Sequence, residues 1–214
     1  PIFLARTYLD ATGDKDFFQK NPNVMKAMQK IMDDMLSLKH NKVALFSTKY
    51  SSDGPVGCRY DYGTNLKAWF ACVSFGRIHE LLGNKEGGRL FTELADEISL
   101  AIDANMVVDG PFGRQLSGGT NLDREEDPFY SKTGYLYYDG EDTSSMLAPV
   151  YGLSKMTYEP WVNYHRFARS VWCPHFDPEF ETLRWFPGKL SPLDGTALIS
   201  RLAGSMTPVE MKEA

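Results

Sequence analysis

No stretch of this chain approaches the roughly 20 consecutive apolar residues that span a bilayer, and no secretory leader opens it. A soluble cytoplasmic protein with no membrane partner is therefore expected. Cysteine is scarce: Cys58, Cys72 and Cys173 form no CxxC pair, and an odd count suits reduced thiols rather than a disulfide framework. Basic residues are not in excess. The net charge is -5 and no basic stripe stands out to neutralise phosphates, which argues against nucleic acid as a partner. "GPFGRQLSGG" is rich in glycine but lacks the GK[ST] ending of a phosphate loop, so nucleotide binding is set aside. "HRFARSVWCPHFD" places His165, Cys173, His175 and Asp177 close together, yet its spacing matches no standard zinc pattern. Neither a metal nor another cofactor is expected.

What the chain does have is apolar and aromatic mass. Of its 214 residues, 43% are hydrophobic and 13% aromatic, enough for a packed core and unlike a disordered chain. The opening "PIFLARTYL" mixes apolar and β-prone residues and reads as a strand. Asn21 and Pro22 then give a helix-start signal, and Val24, Met28, Ile31, Met35 and Leu38 recur at helical spacing on one face. A buried strand is expected from Lys42 to Tyr50, a loop or hairpin over "SSDGPVGCRYDYGTN", and a second buried strand over "LKAWFACVSFG". Leu90, Phe91, Leu94, Ile98 and Ile102 mark another helix, with Glu93, Asp96 and Glu97 on its outer side, and "ANMVVDG" reads as a short closing strand.

Two strand–helix–strand units thus follow one another, each long enough for a right-handed crossover between parallel strands. The expected fold is α/β (α+β): two β-α-β units forming a four-stranded sheet with two helices on one face. The expected domains are 1–113 and an irregular, aromatic-rich C-terminal extension over 114–214. A short helix from Trp161 to Val171 is expected there. Trp161, Phe167, Trp172, Phe176, Phe180, Trp185 and Phe186 supply the aromatic side chains that pack the extension on the core.

If Pro1 is the mature terminus, it carries a free secondary amine. Such amines titrate near neutrality, and burial lowers their affinity for a proton. An unprotonated amine at neutral pH is a base. A processing boundary that fell on proline by chance is the plain alternative.

The N-terminal proline, the order of elements and the stretch "VSFGRI" (Val73 to Ile78) resemble the tautomerase superfamily, in its macrophage migration inhibitory factor-like branch. The resemblance covers residues 1 to about 113. It implies a homotrimer, with Pro1 as general base in an apolar pocket at a subunit boundary. The implied activity is keto–enol tautomerisation of a small carbonyl acid. It places Lys39, or less well spaced Lys42, at the family's pocket lysine, although a lysine at a helix C-terminus also complements the helix dipole. Ser74 and Phe75 fall where a backbone N–H faces the substrate acid, and Arg77 replaces the family's basic residue or is a solvated strand-end charge. The family's tyrosine is missing near Met106, leaving Asn105 and Asp109 as polar candidates for the substrate. Arg6 sits on the opposite strand face from Pro1 and suits a structural ion pair.

The superfamily also contains decarboxylases and dehalogenases. Asp109, or an acid among Asp123, Glu125, Glu126 and Asp127, could supply their chemistry, or those charges form a solvated face. A non-enzymatic assembly or signalling protein on the same fold is the third reading.

Overall fold

A computed structural model describes residues 1–51, 54–55, 58–122, 148–168, 170, 176–177 and 182–183. The four-stranded sheet does not form. Among the described residues the chain builds seven helices, and its strands pair only two by two, every pair antiparallel. The protein is a helix-rich α+β chain with no parallel crossover among these residues. It divides into two compact units: Pro1–Ser47 with Lys67–Ala101, and Thr48–Leu66 with Ile102–Ala214.

The first unit opens with helices α1 (Ile2–Thr12), α2 (Lys15–Lys20) and α3 (Pro22–Leu36). The opening segment expected as a strand is α1. Ile2 and Leu9 are its buried residues, seven apart and so two turns along one helix face; in a strand they would point to opposite faces. Phe3 packs on Phe70 with ring centroids 5.2 Å apart. Arg6 does form an ion pair, with Asp10 at 3.2 Å, but it is the i,i+4 pair of a helix rather than a product of strand alternation. Gly13, at φ +66°, closes α1 by donating its N–H to the carbonyl of Leu9.

Helix α3 begins at Pro22 as expected, but its buried side chains are Met28 and Met32, while Ile31 is 40% exposed. The face is rotated from the one the spacing suggested. The segment expected as a strand over Lys42 to Tyr50 buries Ala44, Leu45 and Phe46, but only its last residue, Tyr50, lies in a strand. It doubles back on the end of α3: Lys39 and Phe46 make a single antiparallel bridge, and the His40 N–H donates to the Leu45 carbonyl at 2.8 Å.

Two short strands, β1 (Tyr50–Ser51) and β2 (Gly54–Pro55), pair as a hairpin in the stretch where a loop or hairpin was expected, and β3 (Tyr60–Asp61) leads directly into α4 (Tyr62–Leu81). The expected strand "LKAWFACVSFG" therefore lies inside a 20-residue helix. Leu66, Ala68, Cys72, Ser74, Phe75 and Ile78 are all buried, so α4 has apolar residues on several sides and no clean stripe. Continuous apolar runs of that kind do not distinguish a buried helix from a buried strand. Asp61 starts the helix: its Oδ2 accepts from the Thr64 N–H at 2.6 Å, and Asn65 donates to its carbonyl at 2.7 Å.

Helix α5 (Lys85–Met106) forms where a helix was expected and runs on through Ala104, Asn105 and Met106, which were read as the start of the closing strand. Phe91, Ala95, Ile98, Ile102 and Met106 are buried at three- and four-residue spacing; Leu90, assigned to that face, is 57% exposed. Strand β4 (Val107–Gly110) forms as expected and turns back into β5 (Gly113–Leu116). In the second unit, β6 (Gly119–Thr120) pairs with β3, and the Tyr62 N–H donates to the Gly118 carbonyl at 2.8 Å. Helices α6 (Ala148–Tyr151) and α7 (Glu159–Ala168) follow, then the pair β7 (Phe176–Asp177) and β8 (Thr182–Leu183). The helix expected from Trp161 is α7, and Trp161 and Phe167 are buried on it. The side chains of Trp172, Phe176, Phe180, Trp185 and Phe186 lie outside the described residues.

Candidate ligand-binding site

The expected site residues fall in both units. Pro1 is exposed at the start of α1, where its carbonyl accepts from the Ala5 N–H at 3.0 Å. Lys39 is half-buried in the bend after α3. Ser74 and Phe75 are buried inside α4, where the helical ladder uses backbone N–H groups. Phe75 packs edge-on against His79 and Phe91, at centroid distances of 4.5 and 4.8 Å. Arg77 is exposed and pairs with Asp10 at 3.3 Å and Glu80 at 3.6 Å. No hydrogen bond or ion pair joins any two of Pro1, Lys39, Ser74, Phe75 and Arg77 among the described residues. Asn105 and Asp109 belong to the second unit, on α5 and β4.

Asp123, Glu125, Glu126 and Asp127 lie outside the described residues, as do Cys173 and His175. His165 is buried in α7 with its ring stacked on Trp161, centroids 5.6 Å apart. No group of three or more His, Cys, Asp or Glu side chains suited to a metal occurs among the described residues.

The polar arrangement that sequence reasoning missed is where the β4–β5 hairpin meets α7. Strand register pairs Val108 with Gln115 and Gly110 with Gly113. Alternation puts these four residues on one face, with Asp109 and Arg114 on the other. That first face meets α7: a Cβ built on Gly113 would lie 3.2 Å from Asn163 Nδ2 and 4.0 Å from Glu159 Oε1. Glu159 and Asn163 are four apart, hence neighbours on the helix surface. Asn163 Nδ2 donates to the Arg114 carbonyl at 3.0 Å and ties helix to hairpin. Gly113, at φ +106°, holds a turn conformation that side chains resist.

Gln115 is fully buried, with its side chain lying across Gly110, and neither Nε2 nor Oε1 has a hydrogen-bond partner among the described residues. A buried polar group left unsatisfied costs about 1–3 kcal/mol, so such an amide calls for an explanation. In the same unit, Tyr158 at the start of α7 donates its O–H to Asp103 Oδ1 at 2.7 Å. Burial, then the bond to Asp103, pushes the Tyr158 phenol well above its ordinary value. Burial does the same to Tyr62, assisted by the negative potential of Tyr158 and Asp103. Both phenols stay protonated at neutral pH and act as donors rather than bases.

"VVDGPFGRQL" carried a usable hairpin signal, two short runs around Gly and Pro, that went unread. Nothing local pointed to Asn163, which reaches the hairpin from 49 residues away.

No protein-family model matches the chain, and no curated protein is similar to it in sequence. The resemblance to tautomerases has no support from either comparison. No helix among the described residues is long and apolar enough to cross a membrane.

Proposed function

We propose that the meeting of the β4–β5 hairpin and α7 is a recognition site for a small neutral ligand bearing hydroxyl or amide groups. One observation carries this: the buried Gln115 amide offers a donor group and an acceptor, neither matched by the described residues. Asn163, Tyr158 and Tyr62 add further neutral hydrogen-bonding groups in the same unit, and Gly113 brings no side chain of its own to the face.

Ligand-observed NMR against a panel of polyols, small amides and small carboxylates tests it. Saturation transfer from the neutral compounds to wild type, lost in Gln115→Leu and kept in Lys39→Ala, is the expected result. A crystal structure showing one ordered water bonded to both Gln115 atoms, with no transfer from any neutral compound, would overturn it.

The proton-transfer reading at Pro1 stands as a separate proposal with narrower support. Pro1 is exposed and open to solvent, but the four-stranded scaffold that was to carry its pocket does not form. That reading requires Pro1 to be the mature terminus. Equal arylpyruvate tautomerase rates in wild type, Pro1→Gly and a methionine-retaining form would remove it.

A further inference from the structure

His79, in the first unit, sits on α4 and packs against two aromatic rings. Phe75 meets it edge-on at 4.5 Å and Phe91 stacks on it at 5.7 Å with 11° between planes. Its Nδ1 lies 3.0 Å from Asn84 Nδ2, and the Asn84 N–H donates to the His79 carbonyl at 2.8 Å. Asn84 immediately precedes α5, and its Oδ1 accepts from the Gly87 N–H at 3.0 Å, capping the first turn. This second bond orients the amide: with Oδ1 committed to Gly87, the NH2 group faces the imidazole. An NH2 group only donates, so Nδ1 is the unprotonated nitrogen and the ring proton resides on Nε2. That Nε2 is buried with no hydrogen-bond partner among the described residues. A Cβ on Gly87 would lie 2.8 Å from both His79 Nδ1 and Asn84 Nδ2, so the cluster closes only over glycine.

We propose that His79 and Asn84 form an acid-released latch on the first turn of α5: protonating Nδ1 replaces the acceptor facing the Asn84 amide with a donor, and the capped turn opens. Two donors cannot share that 3.0 Å contact, and turning the amide over would take its oxygen away from Gly87. The charged groups on the flanking helices do not intervene. Arg77 pairs with Asp10 and Glu80, Arg89 pairs with Glu93 at 2.8 Å, and neither they nor Lys85 and Glu86 bond the imidazole among the described residues.

Burial lowers the affinity of His79 for a proton below its ordinary value of 6.5. The unfolded chain therefore takes up the proton first as pH falls. The latch's contribution is fully present above pH 6.5 and declines below it, through the lowered folded value.

The test follows the His79 ring resonances by NMR from pH 7.5 to 5, alongside hydrogen exchange at the Gly87 and Gly88 amides corrected for intrinsic rates. In wild type, Gly87 protection should fall about tenfold, the scale of losing one hydrogen bond, as His79 titrates. His79→Phe, which keeps the ring packing, should show no such fall, and Asn84→Ala should be poorly protected at every pH. Unchanged wild-type protection while His79 titrates, a His79 that does not titrate, or the same fall in His79→Phe would each overturn the latch. If His79→Phe does not fold, the paired wild-type titration and exchange decide alone.

Discussion

Tyr158 Oη donates to Asp103 Oδ1 at 2.7 Å, joining the start of α7 to a point one turn before the end of α5. The bond lies within the second unit and leaves the phenol protonated at neutral pH. Tyr62, fully buried in that unit, is also held protonated by its burial.

These two tyrosines predict how stability depends on pH. Their folded-state values are raised above the unfolded value of 10.0, so above pH 10 the unfolded chain loses protons that the folded chain keeps. The tyrosine contribution to stability should be level through neutral pH and fall as pH rises past 10, while the buried Cys72 thiol, pushed up from 9.0 to about 12, begins the decline from pH 9. Thermal melts from pH 8.5 to 11.5 measure this, and Tyr62→Phe should flatten the decline.

Asp61 caps α4 from a buried position, accepting from Thr64 at 2.6 Å. Asp61→Ala should lower unfolding free energy by about 1–2 kcal/mol, with Asp61→Asn losing much less because asparagine caps equally well. Urea denaturation of the three proteins checks the order. Equal loss in both variants would assign the effect to charge rather than to the cap.

Gly113 holds φ +106° beside Asn163, whereas Gly110 lacks a side chain because Gln115 covers it. Gly113→Ala should cost about 1–3 kcal/mol through backbone strain. Gly110→Ala should displace the Gln115 amide instead. Combined with Gln115→Ala, Gly110→Ala should be largely rescued and Gly113→Ala should not, which a double-mutant cycle by chemical denaturation reads directly.

Met32 and Ile31 separate the observed face of α3 from the one suggested by spacing. Met32 is 0% exposed and Ile31 is 40% exposed. Met32→Ala should destabilise by about 2–5 kcal/mol, and Ile31→Ala by well under half as much. The reverse order in denaturant midpoints would restore the face read from the sequence.

The sequence by itself determined α3, most of α5 and β4. Their signals were local: Pro22 at a helix start, a one-sided apolar stripe around Phe91, Ile98 and Ile102, and a short β-branched run closed by Gly110. It also determined that Arg6 would find a carboxylate, though not that the partner would be Asp10 one helical turn away. Tertiary structure alone decided α1 and α4. β-prone residues such as Ile2, Thr7 and Tyr8 carry only a weak preference, and burying Ile2 and Leu9 on one helix face overrode it. In α4 the apolar residues lie on several sides, so no period survives to be read. With those two segments helical, the four-stranded sheet loses its strands, and the candidate site moves to side chains that only folding assembles. Gln115 and Asn163 come to opposite sides of one interface by strand register and helix packing, two long-range relationships that no local run of residues encodes.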